Sequence, residues 1–132
     1  MPFVSVTRLR LRSVRFLPAF FFHTLRSQSQ AKRADGVLSV KVGNAAQLAF
    51  WTLTVWRDEA AMRAFMVSGP HKTAMPKLME WCDEASVTHW NQDSADAPSW
   101  AVAHQRMVAE GRLSKVRYPS STHDRMTFPA PQ

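Results

Sequence analysis

The stretch QLAFWTLTVWRD, residues 47–58, constrains the fold of this chain most strongly. Its β-branched and aromatic residues are typical of a β-strand, and side chains on a strand alternate between the two faces of a sheet. Phe50, Thr52, Thr54 and Trp56 share one side, and Trp51, Leu53 and Val55 share the other. Since both sides are largely apolar, the pattern predicts a strand with neither face open to water.

The neighbouring segments predict the rest of the order. Alternation from Phe3 to Leu11 indicates a first strand, GVLSVKVGN a second and ASVTHWNQ a fourth. Helices are expected from Leu17 towards Gly36, over a short segment after Asp58, from Pro70 to about Glu84, and from Pro98 to Gly111. The order βαββαβ with an extra C-terminal helix predicts an α+β, ferredoxin-like fold with an antiparallel sheet.

The ferredoxin-like arrangement has helices on one sheet face and leaves the other face bare. Because the third strand predicts that both faces are buried, the bare face needs a cover, and a second copy of the same sheet is the simplest one. The sequence therefore predicts a homodimer, a dimeric α+β barrel. We expect residues 1–92 to form the barrel domain and residues 93–132 to form a C-terminal helix and an extended, partly disordered tail.

Composition limits the class of protein. A chain of 132 residues, 45% of them hydrophobic, suits one domain. The net charge of +7 is spread along the chain, as is typical of a solubility feature. The single cysteine, Cys82, excludes an internal disulfide and is compatible with a cytoplasmic location, which we expect. The apolar run after LRLRSVRF is short and contains Pro18, so neither a secretory signal nor a membrane span is predicted.

A histidine stands out in the stretch FMVSGPHKTAMPKL. The Gly-Pro pair ends one helix, and its proline suits the first turn of the next. Helical spacing places His71 on the same side as Met75, Leu78 and Cys82, so its ring is predicted to point inward. An inward histidine is either packed and hydrogen-bonded, or it takes part in chemistry.

The segment FWTLTVWRDEAAMRAFMVSGPHKTAM resembles the strand-helix-histidine segment of antibiotic biosynthesis monooxygenase-like proteins, in the dimeric α+β barrel superfamily. The shared pattern is an aromatic strand that ends in Trp and an acidic residue, a helix with Ala and Phe, then a small residue and a His. The resemblance is strongest over residues 47–79 and extends from Phe3 to Asn91. The chain is also similar to small bacterial proteins related to spheroidene monooxygenase, a haem-dependent carotenoid oxygenase.

The resemblance implies a site but not one reaction, because the superfamily includes cofactor-free oxygenases, haem enzymes, isomerases and proteins without known activity. It implies that His71 lies near a pocket between helix and sheet. There a neutral imidazole could accept a proton from a phenolic or enolic substrate, or ligate a haem iron. The alternative is a histidine satisfied by the backbone or by a partner chain.

Three further residues are candidates for substrate contact. Trp51 and Trp56 are expected to shape the cavity and to stack on a flat ligand. Arg57 is expected to hold an acidic group such as a carboxylate. The alternatives are core packing for the two indoles and a solvated or ion-paired rim charge for Arg57.

The first hypothesis is thus a homodimer that binds a small hydrophobic molecule, aromatic or polyene, and oxygenates it as a monooxygenase. No cofactor is required, haem is an alternative, and neither metal-ligand spacing nor a GxGxxG motif is present. The second hypothesis is a non-enzymatic dimeric binding or structural module. An RNA-binding module is a weaker third, because AFWTLTVW lacks glycine and basic residues, so no nucleic-acid partner is expected.

Overall fold

A computed structural model describes residues 1–124, 126 and 128–131. In chain order its elements are β1 (Phe3–Leu11), a short 3-10 turn (Val14–Phe16), α1 (Leu17–Arg33), β2 (Val37–Ala45), β3 (Ala49–Trp56), α2 (Glu59–Met66), α3 (Gly69–Trp81), β4 (Cys82–Asn91), α4 (Trp100–Glu110) and β5 (Arg112–Leu113). Their order confirms the predicted α+β, ferredoxin-like class with an extra C-terminal helix.

The five strands form one antiparallel sheet in the order β2-β3-β1-β4-β5. β1 is central and pairs with β3 on one side and with β4 on the other. The register places Thr7 beside Thr52 of β3 and Val87 of β4. Odd-numbered residues of β1 therefore share one sheet face, and even-numbered residues share the opposite face.

The first face carries α1, α2 and α3. Phe20 of α1 packs with Ala74 and Leu78 of α3 in one apolar cluster, and Trp56 packs with Met62 of α2 in another. The short helix α2 begins where the sequence predicts, because the Asp58 side chain accepts a hydrogen bond from the Ala61 amide and caps the helix. Helices therefore cover this face of the sheet, as the sequence predicts.

The second face carries α4 and the end of the chain. Ala103 and Met107 of α4 are buried in one apolar cluster with β-strand residues, and Phe128 packs against it. The strand residues of that cluster are Val4, Val6, Trp51, Leu53, Val55 and Trp90. At Gly43 of β2, a Cβ would lie 2.9 Å from the Trp100 ring, so glycine allows the first turn of α4 to approach closely.

Both faces of β3 are buried, as predicted, but the reason given for a homodimer is wrong. The chain covers the second face with its own α4 and Phe128, so that face does not need a second copy. In its described residues the tail contacts the domain. Ser120 and Thr122 donate hydrogen bonds to Glu84 at 2.7 and 2.6 Å.

The boundary between α3 and β4 lies earlier than predicted. α3 ends at Trp81, so Cys82 begins β4 and does not share a helical stripe with His71. Glu84, predicted at the helix end, is a strand residue whose carboxylate accepts a hydrogen bond from Arg8 at 2.7 Å. The alternating pattern of β4 extends back to Glu84. The buried ion pair between Glu84 and Arg8 favours the strand conformation there.

Glu84 ties the tail to the sheet. Burial by itself raises the pKa of its carboxyl, but hydrogen bonds from Thr122, Ser120 and Arg8 outweigh burial and lower the pKa to about 2. Arg8 is 3% exposed and Glu84 4%, so removing either partner would leave an uncompensated buried charge. Arg8 and Glu84 therefore form a structural ion pair. The spread of positive charge along the sequence suggested instead that Arg8 is a solvated surface residue.

The packing of α4 can be tested on two adjacent residues. We expect Met107→Ala to lower the free energy of unfolding by about 2–5 kcal/mol, because the side chain is fully buried under the sheet. Val108 is 45% exposed, so Val108→Ala should change it by less than about 0.5 kcal/mol. Urea unfolding followed by Trp fluorescence measures both, and equal effects would contradict the described docking of α4.

Candidate functional site

A partly open cavity of about 150 Å³ lies between the first sheet face and helices α1, α2 and α3. Its walls are mostly apolar, with a minority of hydroxyl, amide and imidazole groups. The apolar lining includes Leu9, Ala31, Val40, Met62, Phe65, Met66, Ala74, Met75, Leu78 and Met79. All of these walls come from one chain, so the cavity does not depend on a dimer.

The floor of the cavity is a patch of hydroxyl groups on the two central strands. Ser5 lies opposite Thr54, and Thr7 lies opposite Thr52, in the β1–β3 register. Thr54 accepts a hydrogen bond from the indole nitrogen of Trp56 at 2.7 Å. The sequence analysis did not identify these hydroxyls as a site. The available signal was Ser or Thr at alternating positions of otherwise apolar strands.

His71 lies at the opposite side of the cavity, in the first turn of α3. Gly69 before it has a φ of +54°, a left-handed conformation that favours glycine. Gln30 of α1 holds this turn: its side-chain oxygen accepts a hydrogen bond from the His71 amide at 2.8 Å. Its side-chain nitrogen donates to the Ser68 carbonyl at 2.8 Å. Gln30 is therefore a positioning residue that the sequence analysis did not find, because it is 41 residues from His71.

The hydrogen bond of the His71 ring determines its tautomer. Nδ1 lies 3.1 Å from the carbonyl oxygen of Met66. Since a carbonyl can only accept, Nδ1 carries the hydrogen, and Nε2 of the neutral ring keeps a lone pair. Burial lowers the pKa of His71, with a smaller opposing effect of the Met66 carbonyl, so the neutral form is favoured. Phe65 supports the ring, with centroids 4.7 Å apart.

Two further histidines line the cavity, His89 from β4 and His23 from α1. Burial, and then the positive charges of Arg112 and Arg63, lower the pKa of His89. In the register, His89 lies beside Ser5, so imidazole and hydroxyl are neighbours on the floor. No local spacing in the sequence links His23 and His89, because strand pairing and helix packing bring them together.

The structure places the other candidate residues outside the cavity lining. Trp51 lies on the opposite sheet face, where it contacts Trp100 and Phe128. Trp56 lies behind the lining: its ring packs on Phe65 at 5.2 Å and its nitrogen donates to Thr54. It therefore supports the cavity wall without lining it.

Arg57 lies in a separate open groove of about 620 Å³ between α1 and α2. Its guanidinium is 3.6 Å from Asp35 and 3.6 Å from Asp58, and its side chain is 58% exposed. The structure therefore does not bring Arg57 together with His71. The role predicted for it, holding an acidic group, stays a prediction and concerns this groove.

The size of the cavity decides which groups fit beside His71. A cavity of about 150 Å³ is large enough for one benzene-sized ring, whereas sites for drug-sized ligands span ~300–1,000 Å³. Haem and extended polyenes are larger than this volume. Among the described residues, histidine, cysteine and acidic side chains form no group of three placed to hold a metal ion.

Neither a nucleic-acid partner nor a membrane span was predicted from the sequence, and both concern the surface of the protein. RNA recognition by a sheet needs exposed aromatic rings, whereas Trp51 and Trp56 are fully buried. Within the described ranges, each helix is too short or too polar to span a lipid bilayer.

The family model described as Domain of unknown function (DUF3291) matches residues 17–131. No match was found among the curated proteins. Several solved structures resemble the fold, among them the three described next. A conserved protein from Methanosarcina mazei is 16% identical, with a TM-score of 0.63 over 70% of this chain and 94% of its own.

The second structure is a putative antibiotic biosynthesis monooxygenase from Nitrosomonas europaea, 14% identical, with a TM-score of 0.62 over 69% of this chain and 89% of its own. The third is SnoaB, a cofactor-independent oxygenase from Streptomyces nogalater, 13% identical, with a TM-score of 0.60 over 70% of this chain and 94% of its own. At these identities the likeness shows the fold alone. It confirms the predicted resemblance to the antibiotic biosynthesis monooxygenase-like fold.

The lowered pKa of His71 predicts a pH dependence of stability. Below about pH 6.5 the unfolded chain binds a proton at this histidine, while the folded chain resists it, so acidification favours unfolding. We expect the stability advantage of the wild type over His71→Leu to shrink by about 1.4 kcal/mol per pH unit between the two pKa values. Urea unfolding at about pH 7.5 and 5.5 measures it, with Lys72→Leu, an exposed neighbour, as the control. A difference that is constant with pH would contradict the lowered pKa.

Proposed function

The chain belongs to the family described as Domain of unknown function (DUF3291), so its activity must be sought in its own site, and we propose that it binds a compact, one-ring phenolic or enolic molecule in the cavity beside His71. In this proposal the ring of the ligand fills the apolar part of the cavity. Its hydroxyl group donates to Nε2 of His71, and the floor hydroxyls bind its other polar substituents.

One observation carries the proposal: a ring-sized cavity is lined by a neutral imidazole whose Nδ1 is already hydrogen-bonded. The bond from Nδ1 to the Met66 carbonyl leaves Nε2 as an acceptor. Ligand sites are usually apolar concavities with a few convergent polar groups, and Ser5, Thr7 and Thr52 supply such groups here. The same volume makes a single aromatic ring a better ligand than the polyene considered from sequence.

The proposed reaction is oxygenation that begins with proton transfer to His71. Removing the hydroxyl proton leaves an electron-rich anion, and general-base catalysis of this kind contributes about 10²–10⁴-fold. Dioxygen is the co-substrate and the oxidant: a ring carbon of the anion forms a C–O bond, its C–H bond and the O–O bond break, and one oxygen atom stays as a quinone carbonyl. The other leaves as water, with the hydroxyl proton that His71 accepted and the hydrogen of the attacked carbon. The printed name of SnoaB, a cofactor-independent oxygenase on the same fold, supports this choice of reaction.

The second candidate is a binding module without catalysis. It uses the same cavity, and the neutral His71 then serves only as a hydrogen-bond acceptor. Burial of the His71 ring lowers its pKa and so weakens it as a base, which favours this candidate. Oxygen consumption separates the two, because only the oxygenase consumes dioxygen in proportion to ligand.

Binding is tested with phenol and anisole, which share a ring but differ in the hydroxyl proton. We expect wild-type protein to bind phenol about ten-fold more tightly than anisole, because only phenol can donate to Nε2. In His71→Leu this preference should disappear, while Lys72→Leu should retain it. Calorimetric titration measures the affinity of each of the three proteins for both ligands. Equal affinities for phenol and anisole in the wild type would remove His71 from the site.

Catalysis is tested by oxygen-electrode measurements across a panel of one-ring phenols and enols. An oxygenase should consume dioxygen with at least one of them, and His71→Leu should slow consumption about 10²-fold or more. Binding without oxygen consumption across the panel would assign the chain to the binding-module candidate.

We also propose a homodimer whose interface differs from the sheet face that was first inferred. Its interface must lie away from the face that α4 covers, because that face is already buried. Sedimentation equilibrium of the full chain is expected to give twice the mass of one chain. The mass of a single chain would remove the homodimer and leave the cavity proposal intact, because one chain supplies the whole lining.

A further inference from the structure

Three buried polar atoms lie side by side on the α4 face of the sheet. The strand register places Trp51 of β3, Arg8 of β1 and Ser86 of β4 in one row. These residues are 0%, 3% and 2% exposed. Within the described part of the chain, the indole Nε1, the guanidinium Nε and the Ser86 hydroxyl have no hydrogen-bond partner.

The chemistry of these three atoms is complementary to a single kind of partner. Nearly all buried polar groups in native proteins are hydrogen-bonded, so three neighbouring exceptions require an explanation. Trp Nε1 and Arg Nε can only donate, and a serine hydroxyl can donate as well. The row is therefore suited to an acceptor with several lone pairs, and a carboxylate is such an acceptor.

An aromatic ring already lies against this row. The ring centroid of Phe128 is 4.0 Å from the guanidinium carbon of Arg8 and 5.6 Å from the Trp51 ring centroid. His104 of α4 closes another side, with ring centroids 5.8 Å apart. His104 Nε2 lies 2.8 Å from the carbonyl oxygen of Phe128, to which it donates. The Phe128 ring is thus held in a box of two aromatic rings and a cation.

We propose that this box and the donor row form a second ligand site, for a small aromatic carboxylate, which the chain's own Phe128 occupies in its absence. The ring of the ligand takes the place of the Phe128 ring. Its carboxylate accepts hydrogen bonds from Arg8 Nε, Trp51 Nε1 and Ser86 Oγ. Phe128 is then an internal competitor, and the site opens when the Phe128 ring moves aside.

This site is independent of the cavity at His71. The two lie on opposite faces of the sheet: Thr7 and Thr52 line the cavity, whereas Arg8 and Trp51 are their chain neighbours on the other face. A ligand in one site does not contact the other, so failure of the phenol experiment would not affect this inference.

The test uses benzoate as the probe and Phe128→Ala to remove the competitor. Calorimetric titration should show benzoate binding at least ten-fold more tightly to Phe128→Ala than to the wild type. Tyr118→Ala, which removes an exposed aromatic ring from the same C-terminal segment, should behave as the wild type does. Benzyl alcohol, which has the ring without the carboxylate, should show no comparable gain.

The donor row is tested in the same background. Adding Ser86→Ala or Trp51→Phe to Phe128→Ala should weaken benzoate binding about five- to ten-fold each, because each removes one donor. No gain in Phe128→Ala, or a gain that survives both donor substitutions, would overturn the site and leave a buried water as the partner of these atoms. If Phe128→Ala fails to fold by circular dichroism, Phe128→Leu replaces it with the same expected order of affinities.

Discussion

The burial of β3 on both faces is the constraint on which the rest of this structure depends. A strand with Trp51, Leu53 and Val55 on one side and Trp56 on the other needs apolar cover above and below it. Helices α1, α2 and α3 supply one cover, and α4 with Phe128 supplies the other. Polar groups lie between each cover and the sheet. Under α1, α2 and α3 they are hydroxyl and imidazole groups, and under α4 they are the hydrogen-bond donors of Arg8, Trp51 and Ser86.

Polar groups in these layers persist because most of them find partners within the chain. Arg8 and Glu84 form a buried ion pair, and Ser120 and Thr122 complete the hydrogen bonds of the carboxylate. Breaking such a pair from one side costs about 3–5 kcal/mol. The pair thus fixes the tail after α4 against the sheet, and Phe128 follows that tail. On the other face, Gln30 performs a similar task for the turn that carries His71.

Other proteins share this fold over most, but not all, of the chain. The conserved Methanosarcina mazei protein shares the fold over 70% of this chain. The segment from residue 93 onward supplies the cover on the second face. This chain therefore buries by itself a face for which a partner was first inferred.

The sequence by itself determined what depends on neighbours along the chain. Alternation of apolar residues predicts the strands, and the Gly69-Pro70 pair predicts that His71 lies at a helix start. The apolar residues on both sides of β3 predict that both faces of the sheet are buried there. Only the tertiary structure decided which cover buries the second face, that Cys82 begins a strand, that Arg8 is buried, and that Trp51 lies away from His71. The physical reason is distance along the chain: Arg8 meets Glu84 across 76 residues, and local periodicity carries no information about such pairs.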